Sequence, residues 1–341
     1  MKIKMADPLI SVIIVNYNGK KYLGTCLSSL KKQTYSNYEI IVIDNASSDE
    51  SIEFVRKTYP KIKLIVNDKN YGFAKGCNIG IKSAKGEYIA ALNNDTEVDK
   101  HWLEELVKVI ETNDAIGSCA SKLLFYNERD TIDSVGMLLL KDGGGVNRGR
   151  NEKDMGQYDK SEEVFGAPAG GALYRKKTLD EVGLFDEDFF MYSDDTDLAW
   201  RIRLNGWKCM YVPTAVVYHV YSGSTSGFSL FKLYYGERNR IFTAVKNYPY
   251  SYLIVSVPYN AARHLLLLYS NIRGRGRGKE YTKRSPMQKI VWNLVKAWFD
   301  ALVLLPKMLK KRRTVQSMKK VNNPEIAGWF EKFSVRLLDI P

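Results

Sequence analysis

The first hundred residues alternate short apolar runs with amphipathic segments, and few folds accept that pattern. Residues 10–15, 39–43, 63–66 and 88–92 read as buried strands, and residues 20–33, 48–59, 73–84 and 102–110 read as helices. In the first helix, Leu23, Cys26, Leu27 and Leu30 recur at helical spacing. Asp49 and Glu50 stand near the positive end of the second. Strands joined in this way pack as a parallel sheet covered on both faces. Such sheets bind ligands beyond the carboxyl ends of their strands. Polar clusters follow each strand there: Asn16-Tyr17-Asn18, Asp44-Asn45, Asn67-Asp68 and Asn93-Asn94-Asp95.

The regularity fades after residue 115. Residues 143–145 and 147–156 read as an exposed loop, 194–205 as a helix ended near Gly206, and 209–212 and 215–218 as two short strands around Pro213. Charge then divides the chain. Residues 229–341 hold 22 basic and 6 acidic residues, a formal +16, whereas residues 1–228 hold 29 basic and 32 acidic, a formal −3. A basic tail on a slightly acidic body points to a polyanionic surface, either nucleic acid or anionic lipid. Residues 253–272 are too polar for a membrane span. In 290–309, Asn293, Lys296, Asp300 and Lys307 form one polar stripe, the rest is apolar and aromatic, and Lys310-Lys311-Arg312-Arg313 follows. That combination suits an amphipathic helix in an anionic membrane interface, against the plainer alternative of a helix docked on the protein's own core. The stretch 273–279 (RGRGRGK) lacks interleaved aromatics, so it reads as a flexible basic loop rather than an RNA site. Four widely spaced cysteines read as reduced core residues of a cytosolic protein, and three histidines are too few for a zinc site. No apolar leader precedes the first strand, so no secretory signal is expected.

Three segments carry chemistry. Asp95 ends a buried strand, where a carboxylate is costly without a cation or hydrogen bonds, and it could hold Mg2+ or Mn2+ against a diphosphate. Asp194, Asp195 and Asp197 open a helix that Ser193 could cap. Asp197 can pair with Arg201, but three carboxylates exceed what helix capping needs, and their repulsion raises at least one pKa. His219 ends a short strand and, alone, is more often structural.

Taken in order, the segments SVIIVNYNG (11–19), VIDNASSD (42–49), NYGFAKGCNIG (70–80), ALNNDTEVD (91–99), EVGLFDEDFFMYSDDTDLAWRIRLNGW (181–207) and VPTAVVYH (212–219) resemble glycosyltransferase family 2. Those are inverting enzymes of GT-A fold, and the nearest resemblance is to the rhamnosyltransferase-like branch. The resemblance implies a GT-A-type α/β catalytic domain over residues 1–228, built on a mostly parallel sheet, while the charge asymmetry and the 290–313 segment point to a basic, amphipathic, membrane-associating helical region over 229–341. It implies that Asn16, Tyr17 and Asp44 surround the base of a nucleotide-sugar donor, and that Asn70, Gly76 and Asn78 line its ribose and diphosphate beside Asn93 and Asn94. Asp95 matches the last position of the family's DxD metal motif, whose first position here is Asn93. His219 matches a histidine that completes the metal site in some relatives. Asp195 matches the catalytic base of a Glu-Asp motif whose first position here is Asp194, a candidate for sugar contact. Gly171 and Arg175 fall where the family places a sheet edge near the acceptor. Arg238 and Arg240 could close on the diphosphate after a mobile loop at 222–227.

The expected reaction moves a sugar from dTDP-rhamnose or a UDP-sugar to a glycan or polyprenyl-linked acceptor, on the inner face of the cell membrane. A sugar nucleotidyltransferase would need a glycine-rich basic loop after the first strand, where Asn16-Tyr17-Asn18-Gly19 stands instead. A nucleic-acid-binding protein, driven by the tail, explains neither the 194–197 carboxylates nor His219, so nucleic acid is not the expected partner.

Overall fold

The computed structural model describes residues 7–220, 229–272 and 276–336, with the backbone alone for 268, 270–272 and 276–279. Strands β1 (Ile10–Asn16), β2 (Tyr38–Asp44), β3 (Lys63–Val66) and β4 (Tyr88–Asn93) run parallel in the order β3-β2-β1-β4. They are joined through helices α1 (Lys20–Leu30), α2 (Ser51–Thr58) and α3 (Gly72–Lys82). The two-residue period of β1 shows why both faces must be covered. Val12 and Ile14 pack with Leu23 and Leu27 of α1, while Ile13 packs with Ala74, Cys77 and Ile81 of α3.

After β5 (Thr96–Val98) and α4 (Trp102–Ile110), the irregular-looking middle extends the same sheet. It adds β6 (Ile116–Phe125), β7 (Ile132–Ser134), β10 (Glu162–Val164) and β11 (Gly171–Arg175) to that sheet, and β8 (Met137–Leu139) and β9 (Gly145–Asn147) pair as a separate two-stranded sheet. Next come α5 (Lys176–Val182), a 3-10 turn at Glu187–Phe189, α6 (Asp194–Leu204) and β12 (Lys208–His219). β11 lies antiparallel between β4 and β6, and β12 runs parallel to β6. The two strands expected around Pro213 are one strand with a register shift between Val212 and Val216. A proline, which donates no hydrogen bond, is tolerated at such a break.

The tail comprises α7 (Leu230–Asn247), α8 (Tyr250–Ile272), α9 (Gly276–Arg284), α10 (Met287–Val303), α11 (Leu305–Ser317) and α12 (Asn323–Phe333). It shares a core with the sheet domain, where Phe165 and Trp200 meet Tyr248, Trp329, Phe330 and Phe333. The single helix expected over 290–309 is two, α10 and α11, divided at Leu304 just before Pro306. Part of the Lys310–Arg313 cluster turns inward. Lys311 pairs with Asp186 and Asp188, and Arg312 donates to the carbonyls of Val245 and Tyr248. α10 buries Ile290, Ala297 and Ala301 but leaves Trp292 69% and Phe299 62% exposed, with Leu302 beside them. No helix among the described residues is long and apolar enough to cross a membrane. The expected basic loop at 273–279 is partly corrected: residues 273–275 lie outside the described residues, and Gly276 begins α9. The 222–227 loop also lies outside them.

Candidate active site

The carboxyl ends of β2, β1 and β4 are stitched together by one chain of side-chain hydrogen bonds. Asn16 Nδ2 donates to Asp44 Oδ2 at 2.7 Å, and Asn94 Nδ2 donates to Asn16 Oδ1 at 2.7 Å. Asp44 also accepts from the Ser47 backbone N–H (2.7 Å) and hydroxyl (2.8 Å). A side chain at Gly19 would collide with Asn94 and Asn16, so glycine is required where α1 begins. Tyr17, 43% exposed, stands at the rim of this polar floor. Asn45, which the sequence argument left without a role, extends the chain: it accepts from Asn67 Nδ2 at 2.8 Å and donates to the Gly72 carbonyl at 3.0 Å.

Beyond β4, Asp95 and His219 meet, with His219 Nε2 3.3 Å from Asp95 Oδ1. The topology brings them together, because β5 pairs antiparallel with β12 and sets Thr96 opposite His219. Asn93 Nδ2 lies 3.2 Å from His219 Nε2. On its other side, His219 Nδ1 is 2.7 Å from Asp133 Oδ2, and Arg150 donates to Asp133 Oδ1 at 2.8 Å. Burial opposes charge on this imidazole, but the flanking carboxylates Asp133 and Asp95 outweigh it and raise the pKa to about 10. No cluster of three or more His, Cys, Asp or Glu side chains suited to a metal occurs among the described residues. Asp95 and His219 nevertheless fit a divalent cation that completes its shell with diphosphate oxygens. Asp95 Oδ1 and His219 Nε2 stand 3.3 Å apart, and an oxygen with an imidazole nitrogen is a donor set that suits Mn2+ better than Mg2+.

The third part precedes α6. Phe190 (φ 64), Tyr192 (φ 68) and Ser193 (φ 57) are all left-handed, a strained run for residues with side chains. It is held from two sides. Phe190 O accepts from Phe73 N at 2.7 Å, and Asn239 Nδ2 of α7 donates to the carbonyls of Phe189 (2.9 Å), Met191 (2.9 Å) and Tyr192 (2.8 Å). Ser193 stands at the helix N-cap but makes no side-chain cap bond, contrary to expectation.

The three carboxylates that follow have separate environments. Asp197 is buried against Arg201 (2.9 Å), Lys246 (2.8 Å) and Asn247 (2.9 Å). Burial works against its charge, but Lys246 and Arg201 hold its pKa below the usual carboxylate range. Asp194 is buried with Oδ2 unpartnered, and burial together with the Asp195 charge pushes its pKa well up. Asp195 Oδ1 accepts from Thr196 N at 2.7 Å, and Oδ2 accepts only a long bond, 3.4 Å, from Ala169 N. Burial raises its pKa too, against those bonds. The Ala169–Gly170–Gly171 segment links this helix to the Asp95–His219 pair: Gly170 O accepts from Asn93 N at 3.3 Å, and Gly171 pairs with Leu92.

Several expected site residues are used elsewhere. Arg175 pairs with Tyr88, the first residue of β4, so it lies roughly 16 Å back along the strand from Asn93. Its guanidinium is spent on the carbonyls of Ile110 and Ile116 and on Tyr88 Oη. Asn78 holds the Phe185 backbone from both sides (2.8 and 3.0 Å), and Asn70 accepts from Gly72 N at 2.9 Å to start α3. Gly76 is demanded by packing, since a Cβ there would stand 2.8 Å from Val15. Arg238 donates to the Asp188 and Phe189 carbonyls, and Arg240 pairs with Asp142 at 3.0 Å, so neither guanidinium is directed to a diphosphate.

The model of glycosyl transferase family 2 matches residues 11–183, just over half of the chain. The chain belongs to glycosyl transferase family 2. The match ends before Asp194 and so covers neither Asp195 nor His219. The chain is 37% identical to a protein of Haemophilus influenzae named an uncharacterized glycosyltransferase, over 126 residues that make up 36% of this chain. That match spans only 39% of the relative's length. The GT-A-like fold, with its mostly parallel central sheet, recurs in GalNAc-T7 solved with UDP, GalNAc and Mn2+ (TM-score 0.60, 19% identity, 81% of this chain and 56% of that one). It recurs also in the mannosyltransferase PcManGT of Pyrobaculum calidifontis with GDP-Man and Mn2+ (TM-score 0.52, 17% identity, 91% and 86%).

Proposed function

We propose that this family 2 member transfers a sugar, with inversion, from a nucleoside-diphosphate sugar to a hydroxyl of a glycan or lipid-linked acceptor. The observation that carries the reading is the joining of three chemistries along one sheet edge: the Asp44–Asn16–Asn94 floor, the Asp95–His219 pair and the buried carboxylate of Asp195. Asp44 and Asn16 recognise a pyrimidine base, with Tyr17 flanking it. dTDP-rhamnose is the favoured donor and a UDP-sugar the next.

Asp95 and His219 would hold the divalent cation, which supplies neutralisation of the charge that develops on the departing diphosphate. The Mn2+ in the solved GalNAc-T7 and PcManGT structures supports that assignment. Asp195 Oδ2, the less engaged carboxylate oxygen, takes the proton from the acceptor hydroxyl as that oxygen attacks the anomeric carbon. One displacement opposite the leaving group inverts the configuration. Asp194, buried beside Asp195 with Oδ2 unpartnered, contacts a sugar hydroxyl. The exposed apolar face of α10, with Trp292, Phe299 and Leu302, together with the tail's excess of basic residues, supports peripheral binding to the inner, anionic face of the cell membrane, where a polyprenyl-linked acceptor is presented.

A thermal-shift panel of UDP, dTDP, GDP and CDP with Mn2+, Mg2+ or EDTA tests the donor site. Saturation at 100 times Kd adds about 2.7 kcal/mol. Metal-dependent stabilisation by one pyrimidine diphosphate is expected, and no shift with any nucleotide would overturn the reading. Membrane binding is tested with the full chain carrying Trp292→Ser and Phe299→Ser on the exposed face of α10, which should lose transfer to a vesicle-embedded acceptor and keep transfer to a soluble one.

A further inference from the structure

We infer that Asp133, on β7, is the positioning residue of His219 and that Arg150 holds Asp133 in that task. The inference rests on the assignment of Asp95 and His219 to a divalent cation. Neither Asp133 nor Arg150 belongs to a motif segment, and they reach the site only through the fold. β7 pairs with β6 and β6 pairs with β12, which sets Ile132 opposite Leu124 and His219 opposite Phe125 and so brings the ends of the three strands together. The segment after β9, which reads as an exposed loop, is anchored on β7 instead: Asn151 N donates to Ile132 O at 2.9 Å, and Ile132 N donates to Glu152 O at 2.8 Å. That anchoring carries Arg150 to Asp133.

An imidazole ligates a metal through one nitrogen, and the hydrogen bond made by the other decides which one. Here Nδ1 is 2.7 Å from Asp133 Oδ2, so its proton points to the carboxylate and Nε2 is turned toward Asp95 and Asn93. Asp133 is only 1% exposed, with His219 on Oδ2, Arg150 on Oδ1 at 2.8 Å, and a further side-chain hydrogen bond from Asn147. A carboxylate pinned by a guanidinium cannot swing away from the ring. A buried charge set of this kind adds little net stability over an apolar replacement, because desolvation offsets the attraction. What it does fix is the ring's tautomer and direction, which a metal ligand needs. It also makes the ring a stronger donor.

The test measures Mn2+ binding to the full chain by electron paramagnetic resonance, with UDP and with dTDP, for the wild type, Asp133→Asn, Arg150→Met and His219→Gln. Loss of such an outer partner costs about 10–100-fold in metal affinity. Asp133→Asn should weaken Mn2+ by that factor, Arg150→Met by less, and His219→Gln by the most. A second readout is the 15N spectrum of the three histidines with Mg2+ and nucleotide. His219 should be the Nδ1–H tautomer in the wild type and a mixture in Asp133→Asn. Unchanged Mn2+ affinity and an unchanged tautomer in Asp133→Asn, with binding lost in His219→Gln, would overturn the role of Asp133 and leave the cation site standing. Wild-type affinity in His219→Gln would overturn the cation site and this inference with it. If Asp133→Asn does not fold, Arg150→Met decides by the same two readouts.

Discussion

The two ends of the site are held in different ways. The nucleotide end is local: Asn16, Asp44 and Asn94 bond one another across adjacent parallel strands, within the first hundred residues. The base end is borrowed from the tail. The backbone before Asp194 takes three left-handed residues and is fixed by Asn239 and Arg238 of α7, while Lys246 and Lys311 neutralise Asp186, and Lys246 and Arg201 neutralise Asp197 behind it. The difference teaches that donor binding and proton abstraction should be separable by mutation. It also teaches that the tail sets the geometry of the segment around Asp194 and Asp195, whatever surface its exposed face meets.

The sharpest break comes at Asp195. Replacing a general base costs about 10²–10⁴-fold in rate, so Asp195→Asn should lower kcat by that order and leave metal-dependent nucleotide binding intact in a thermal-shift titration. Burial raises the Asp195 pKa, and the base works only when ionised. The rate should therefore fall as pH drops, with its acid limb above the ordinary aspartate value of about 3.9. A limb at or below that value would remove Asp195 from the role.

Asn239→Ala comes next. It withdraws the donor that holds three carbonyls of a strained loop, and a shift of about 1 Å in a catalytic group can cost roughly 10²-fold. Kinetics should show kcat falling with the nucleotide Kd unchanged. Equal damage to both would mean that the two ends are one unit. At the other end, Asp44→Ala removes a charged acceptor worth about 1.5–3 kcal/mol, so titration calorimetry should show nucleotide affinity falling roughly 10-fold or more. Single-turnover rates at saturating donor should change little.

The smallest effect is expected for Lys311→Met. Asp186 pays for its burial with Lys246 and Lys311, which depress its pKa. Its stabilisation is fully present above the unfolded aspartate pKa of about 3.9 and is lost as pH falls below that value through the depressed one. Thermal melts should show the variant slightly less stable near neutrality and less sensitive than the wild type to acid below about pH 4.

Sequence periodicity determined β1 to β4 and their connecting helices, because each element repeats its apolar residues at its own spacing and buries them against its neighbours in the chain. The rule that ligands gather at strand ends then picked out Asn16, Asp44, Asn94 and Asp95. Sequence order alone could not place β6, whose Ser118, Ser121 and Lys122 look exposed but are buried in the sheet. Nor could it tell which polar side chains are already consumed. Asn78, Arg175 and Arg238 carry suitable chemistry, yet they donate to backbone groups brought up by the fold, and Arg240 is paired with the Asp142 carboxylate. Asp133 and Asn239 carry no motif at all, and only tertiary structure assigns them, through bonds to His219 and Tyr192 at sequence separations of 86 and 47. Periodicity and motif reside in neighbours along the chain, whereas the satisfaction of a buried polar group depends on partners that only the closed fold supplies.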